Sequence, residues 1–377
     1  MSATHTETLV VGASISGLAL GAALQKQGIE FTIIEKENAI AQPWRNHYER
    51  LHLHTSKRYS NLPYKKFGNE IPRYPSRQQV IDYLEDYRQT FNLRPLLNTR
   101  AISIRREGNV WVTETNNGQF SSRYLIMATG AYGQSRAIDI KGIETFTGTV
   151  LHSQEYKTAS DYADKRVLVV GFGNSACEIA IDLCEKGLYP AMAVRSPVNV
   201  IPRDVLGIPV LELSILMRGL KPSFADIISK PLVDLLVGDI TTLGLMKKPY
   251  GPLEQIQREA AAPVLDIGTL RLIRKGHIKI YGGIDRVEGE NVHFIDGQTA
   301  AFDVIVAGIG YRRNYAEIVD VGRERFEDLR RPVDRQEFFG KDGLYFCGYW
   351  VSPTGQIREI GMDALKITAH IARERGK

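Results

Sequence analysis

Apolar positions come in short runs that alternate with helical stretches. Glu7–Val11 is an apolar run that breaks at a glycine-containing turn. A helical stretch follows from Gly17 to about Gln27, with Gly28 as its stop, and a second apolar run, Phe31–Glu35, ends on an acid. Strand, helix and strand in that order make a βαβ unit and predict a parallel sheet. The pattern restarts about 160 residues later. Arg166–Val170 is apolar, a helix runs from Ser175 to about Lys186 with Gly187 as its cap, and Ala191–Val194 leads into Arg195. Between the two units, Ser76 and Gln79 fit a capping box that opens a helix with Val80, Leu84, Tyr87 and Phe91 as its apolar stripe. Two short strands around Ile102 and Trp111 are joined by the turn Glu107-Gly108-Asn109. The buried-type run Tyr124–Ala128 ends in Thr129-Gly130. Late apolar runs lie at Asp303–Ala307 and Leu344–Cys347, and a long helix runs from about Ile357 to Arg375.

This order predicts an α/β fold of two Rossmann-like dinucleotide-binding domains, the second inserted into the first. The expected divisions are residues 1–155 with 302–377, and residues 156–301. An insertion at 205–265 is a candidate cover for a substrate; an amphipathic helical surface or a dimer contact reads equally well there. A length of 377 residues suits two domains.

Charge and cysteine usage narrow the class. The net charge is +5, but the basic residues are dispersed, with only short pairs such as Arg105-Arg106, Lys247-Lys248 and Arg330-Arg331. A nucleic-acid binder carries a denser basic stripe, whereas a mild positive balance suits phosphate-rich cofactors. The three cysteines, Cys177, Cys184 and Cys347, form no CxxC pair, which argues for a reducing compartment and against a zinc site. No basic-then-apolar leader precedes the first strand, so no signal peptide is expected. The most apolar region, Leu206–Met246, is broken by Glu212, Arg218, Lys221, Asp226, Lys230, Asp234 and Asp239. It falls short of the roughly 18 uncharged apolar residues of a membrane span. The expectation is a cytoplasmic protein with a small-molecule substrate, no nucleic-acid partner and no membrane span.

The first turn reads Gly12-Ala13-Ser14-Ile15-Ser16-Gly17, a G-x-G-x-x-G pattern with Ser14 at its second glycine. In that pattern the first glycine makes the tight turn, the second admits a pyrophosphate to the backbone and the third lets helix and strand pack closely. The helix N-terminus beyond it favours negative charge. Glu35 lies 18 residues after Gly17, where a carboxylate binds an adenosine ribose. An ordinary strand-turn-helix would also use glycines here, but the strand, the helix and Glu35 together favour a nucleotide. The second turn, Gly171-Phe172-Gly173-Asn174-Ser175-Ala176, has alanine at its third position, which the pattern permits. Its second strand ends in Arg195-Ser196 without an acid. A carboxylate would repel a 2′-phosphate and an arginine pairs with one, so this site favours NADPH; a solvated surface arginine is the plainer alternative. One nucleotide delivers a hydride and the other stores it. FAD fits the first site because its ribose has no 2′-phosphate.

These residues resemble the flavin-containing monooxygenases, and most closely their plant YUCCA branch, which converts indole-3-pyruvate to indole-3-acetate. Phe146 to Tyr156 matches the F-x-G-x-x-x-H-x-x-x-Y signature of the family. Arg50–Pro63, Tyr74-Pro75, Ile81–Glu85, Gly238–Leu245, Gly251–Glu254 and Pro263–Leu270 are similar to the YUCCA branch outside the cofactor motifs. Three segments depart from the pattern. Ser14 replaces a glycine, Ala307–Tyr311 reads AGIGY in place of ATGY, and Ser352–Glu359 looks more like bacterial relatives.

The resemblance implies an FAD- and NADPH-dependent monooxygenase in which O₂ adds at the flavin C4a position and the resulting (hydro)peroxide transfers one oxygen. It implies either oxidative decarboxylation of a 2-oxo acid or oxygen transfer to a soft nitrogen or sulfur. A flavin disulfide reductase also carries two nucleotide sites, but Cys177 and Cys184 stand seven apart on a predicted helix and cannot bridge. The implied catalytic residues are His54, Asn61 and His152. His54 would sit beside the reactive flavin edge, or else is a loop histidine in a stretch with His47 and His52. His152 would link the two domains, or is a satisfied core histidine. Cofactor contacts are expected from Gly12, Ser14, Ser16, Gly17, Glu35, Lys36, Trp44, His52, Thr129, Gly130, Gly310, Gly348 and Gln356. Gly171, Gly173, Asn174, Ser175, Ala176, Arg195 and Ser196 would serve NADPH. Trp44 reads equally well as a core residue.

Overall fold

The computed structural model describes residues 3–130, 134–217, 219–312, 319–320, 326–327, 331–332 and 339–376. Arg218 and Arg330, counted among the charges above, lie outside them. Two sheets organise the chain. In the first, β1 (Thr4–Val11), β2 (Phe31–Ile34), β5 (Gly118–Met127) and Leu344–Phe346 run parallel. The hairpin of β3 (Ala101–Glu107) and β4 (Val110–Thr115) pairs antiparallel onto the other half of β5. Val10, Ile33, Ile126 and Leu9 are buried, as expected of parallel strands covered on both faces.

Helix α1 (Ile15–Lys26) is buried around most of its circumference. Its small residues permit this: a Cβ added to Gly21 would come within 2.9 Å of the Ile33 side chain. The helix Arg77–Thr90 opens with the expected capping box, Ser76 accepting from the Gln79 amide at 3.3 Å and Gln79 accepting from the Ser76 amide at 2.9 Å. The final helix Gln356–Arg375 packs its buried Ile360, Ala364, Ile367 and Ile371 into the same core.

The second sheet is wholly parallel, in the order Lys279–Tyr281, Ala191–Ala193, Val167–Val170, Val304–Ala307, Thr149–His152. This corrects two sequence-based placements. Thr149–His152 and Val304–Ala307 both fall in ranges assigned above to the first domain, 1–155 and 302–377, yet they pair with the second sheet. Parallel strands need a crossover, and an antiparallel meander supplies it: Ile284–Glu288, Asn291–Phe294 and Thr299–Ala301 lead directly back to Val304. Its short strands carry too little periodicity to be read beforehand.

The insertion at 205–265 is closed at its base by parallel pairing of Val200–Pro202 with Val264–Asp266. It divides into two parts. The hairpin of Asp204–Val205 and Ile208–Pro209 and the helix Val210–Leu216 lie against the first unit. The helix Pro222–Val237 turns Phe224, Ile227, Ile228 and Leu235 outward. Among the described residues no helix is long and apolar enough to cross a membrane.

Candidate functional site

Each Gly-rich turn ends at a helix whose first turn is left free. Helix α1 has Ser14 as N-cap with no side-chain capping bond and no acid in its first turn. The helix Asn174–Glu185 has Gly173 in the same position, again uncapped and without an acid. The surface helix Arg77–Thr90, by contrast, is capped from both directions. Uncapped amides at a helix start, backed by the helix dipole, are an anion site.

The glycines divide into close-packing and space-leaving positions. A Cβ on Gly17 would lie 1.8 Å from the Gly12 carbonyl oxygen, and one on Gly12, at φ +111°, would lie 2.8 Å from the Ala128 carbonyl oxygen. Gly171, at φ +104°, would meet the Gly308 carbonyl oxygen at 2.7 Å. At Gly130, Gly173 and Gly310 an added Cβ meets nothing within 4 Å. Packing thus accounts for Gly12, Gly17 and Gly171, whereas Gly130, Gly173 and Gly310 border open space. The residues present fit two dinucleotides.

Glu35 is buried at the end of β2, where its carboxylate accepts from the Ala13 amide at 2.7 Å and the Glu37 amide at 3.1 Å. These bonds aim it at the first turn and leave lone pairs for ribose hydroxyls. Ser16 is buried beneath the turn against Gly348, and Gln356 donates to the Gly348 carbonyl at 3.0 Å. The Thr129 hydroxyl is hydrogen-bonded to that of Tyr349. Trp44 packs on the core of the first unit. Lys36 and His52 point outward; Lys36 pairs with Glu37 at 3.4 Å, and His52 bonds the Arg50 carbonyl at 2.6 Å.

At the second turn Asn174 accepts from the Leu265 amide at 2.8 Å and donates to the Pro263 carbonyl, so it anchors the base of the insertion. Ser175 lies beside Tyr48, and burial raises the Tyr48 phenol well above its ordinary range. Ala176 is buried against Gly308. Arg195 and Ser196 are exposed at the end of Ala191–Ala193.

The three expected catalytic residues have different surroundings. Asn61 accepts from the Phe67 amide at 2.8 Å and donates to the Arg58 carbonyl at 3.0 Å, which makes it a loop brace. His152 is buried, with Nε2 donating to the Gly310 carbonyl at 3.1 Å and Nδ1 accepting from the Gln154 amide at 3.2 Å. Both nitrogens are thus engaged, and burial holds its pKa below the ordinary value. His54 bonds Glu178 on the helix Asn174–Glu185. Sequence reasoning missed Glu178, Arg50, Tyr48 and Asp182. The visible signal was the acidic spacing Glu178, Asp182, Glu185 along one helical face.

Above these residues the 204–216 arm is latched to the first unit. Tyr74 bonds Asp204, Arg73 donates to the Gly207 carbonyl at 2.6 Å, Ser56 donates to Glu212 at 3.0 Å, and Ser214 donates to the Pro353 carbonyl at 2.5 Å. Beneath the arm is an open cleft of about 460 Å³ whose charged lining is Lys57, Arg58 and Arg73 with Glu212.

His47 lies near Lys157, Glu178 and Arg77. Burial, then the Lys157 charge, pushes it from 6.5 to about 4, and its Nδ1 is buried without a partner among the described residues. A folded value below the unfolded one means that the unfolded chain takes the proton first. Stability is then full above about pH 6.5 and falls as the pH drops toward 4. His47→Phe, which keeps an aromatic ring beside Tyr48, should lose less Tm than the native chain between pH 7 and pH 5. Equal losses would show that His47 does not contribute.

A family model described as pyridine nucleotide-disulphide oxidoreductase matches residues 9–204. An indole-3-pyruvate monooxygenase of Arabidopsis thaliana, YUCCA6, is 37% identical over 97% of this chain and 90% of its own. A probable indole-3-pyruvate monooxygenase of the same plant, YUCCA3, is 39% identical over 90% of this chain and 81% of its own. A flavin-containing monooxygenase from Stenotrophomonas maltophilia has the same fold, with a TM-score of 0.72, 20% identity, and coverage of 98% of this chain and 99% of its own. The disulphide chemistry in the family description finds no support in the cysteines. Cys177 and Cys184 form no disulfide, and burial pushes the Cys184 thiol up to about 11 and the Cys177 thiol higher still, so both are poor nucleophiles at neutral pH.

Proposed function

The chain belongs to the YUCCA indole-3-pyruvate monooxygenase family, flavin-dependent enzymes that use FAD and NADPH, and from that membership we propose that it oxidatively decarboxylates a 2-oxo acid of the indole-3-pyruvate type. The balanced reaction consumes the 2-oxo acid, O₂, NADPH and a proton. It yields the carboxylic acid one carbon shorter, CO₂, NADP⁺ and water. Near full-length identity to indole-3-pyruvate monooxygenases carries this reading, because it runs through the 205–265 insertion as well as the nucleotide turns. In the cleft beneath the 204–216 arm, Lys57, Arg58 and Arg73 outnumber Glu212, which favours an anionic substrate.

Bound FAD, once reduced by NADPH, supplies the chemistry that activates O₂. The protein's part is to bind, orient and exclude water. The free amides at Ser14 and Gly173 take the two pyrophosphates, Glu35 takes the flavin-side ribose, and Arg195 takes the 2′-phosphate of NADPH. His152 fixes the Gly310 carbonyl where the second sheet returns to the first. The 204–216 arm closes one side of the cleft and limits water entry.

The test is NADPH oxidation by the purified yellow protein with indole-3-pyruvate, in air and without oxygen, with products read by mass spectrometry. Indole-3-acetate should form only in air. An untouched keto acid beside oxygenated amines or thioethers would replace this reading with N- or S-oxygenation. His54 is proposed to hydrogen-bond at the site of oxygen transfer. His54→Ala should lower product per NADPH on the order of tenfold, the worth of one charge-assisted hydrogen bond, with hydrogen peroxide making up the difference. Unchanged coupling would reject this role.

A further inference from the structure

Three carboxylates on the helix Asn174–Glu185, which follows the second Gly-rich turn, share one face, and each clasps chain from elsewhere. Asp182 accepts from the Tyr156 hydroxyl at 2.7 Å and from the Ala159 amide at 2.9 Å. Glu185 grips Arg50 through two bonds of 2.8 Å. Glu178, whose side chain is only 1% exposed, takes Arg50 at 3.1 Å on one oxygen and His54 Nε2 on the other.

Arg50 already has a carboxylate in Glu185. A second, fully buried carboxylate costs desolvation that Arg50 does not require. What Glu178 alone supplies is the bond to His54. An ionised carboxylate only accepts, so the bonded Nε2 carries the hydrogen whatever the charge of the ring. Nδ1 has no partner among the described residues and is the nitrogen left for a ligand.

We propose that Glu178 is a positioning residue for oxygen transfer, holding His54 in one tautomer and one orientation so that Nδ1 is presented to the bound flavin and substrate. Because Glu178 rides on the helix whose N-terminus faces NADPH, it also couples that imidazole to the nucleotide site. The proposal rests on the monooxygenase reading given above.

Glu178→Gln tests it, with Glu185→Gln as control. A glutamine amide can turn either its oxygen or its nitrogen toward the imidazole and so no longer selects the tautomer. Product per NADPH should fall at least fivefold in Glu178→Gln, with peroxide rising in step. The double variant with His54→Ala should be no worse than the poorer single, within about twofold, since both act through one imidazole. Glu185→Gln removes an Arg50 partner without touching His54 and should stay within about twofold of the native enzyme. Equal losses in the Glu178 and Glu185 variants, or additive losses in the double, would overturn the proposal. Should Glu178→Gln fail to fold, ¹⁵N-histidine spectra of the native holoenzyme decide, with the His54 signal assigned by its disappearance in His54→Ala. Hydrogen on Nε2 supports the proposal, and hydrogen on Nδ1 alone overturns it. That spectrum stands apart from turnover, so a chain that oxygenates no substrate fails the functional reading while the tautomer still answers for Glu178.

Discussion

Gly17→Ala should yield a protein that purifies without flavin. The added methyl group would sit 1.8 Å from the Gly12 carbonyl oxygen; the oxygen is backbone and the methyl is fixed to Cα, so neither can swing aside. Relief requires α1 to move off β1, which opens the turn whose amides face the pyrophosphate. Overpacking costs about 1–3 kcal/mol where side chains can adjust, and this contact sits at the upper end. For a domain of this size, about 3 kcal/mol lowers Tm by roughly 6–12 °C. Gly173→Ala makes the instructive contrast. A Cβ there meets nothing within 4 Å, so Tm should hold while KM for NADPH rises, because the methyl group occupies space the nucleotide needs. Flavin absorbance per protein and thermal unfolding of the two variants separate the roles. Native flavin content and Tm in Gly17→Ala would mean that the helix-to-strand contact is not what shapes the site.

That contrast shows what was legible in the sequence. Both turns were readable because their chemistry is local: six residues set a tight turn, a helix start and the space before it. Ser76 with Gln79 was readable for the same reason. The Glu178 clasp was not, because its partners Arg50 and His54 stand 128 and 124 residues away. An acidic spacing on a helix says that a face exists without saying what meets it. The placement of Val304–Ala307 failed differently. Its apolar run was recognised, but a strand's sheet is set by its crossover, and the weak meander before it left no periodic trace. Asn61 looked chemical by resemblance, while its two backbone bonds are spent on the loop.

Arg195→Ser should raise KM for NADPH on the order of 10- to 100-fold and leave KM for NADH nearly unchanged. Arg195 stands exposed at the end of Ala191–Ala193, one strand over from the second turn, and no hydrogen bond or ion pair to it is seen among the described residues. Nothing internal depends on its charge, so its loss should shift stability by no more than about 0.5 kcal/mol. Its stem passes over Gly283, where an added Cβ would come within 3.1 Å of the Arg195 Cβ and Cγ. An exposed guanidinium can pair with a doubly charged oxyanion from outside, and a charge-assisted bond of that kind is worth about 1.5–3 kcal/mol. The interaction is exposed and therefore screened, so KM for NADPH in the native enzyme should climb with salt. In Arg195→Ser that dependence should flatten, and NADH should show little of it in either protein. A surface arginine with no role at the site would leave the NADPH-to-NADH ratio and its salt dependence where they began. The ratio thus distinguishes a 2′-phosphate fork from a solvated charge, which the strand-end position alone does not do.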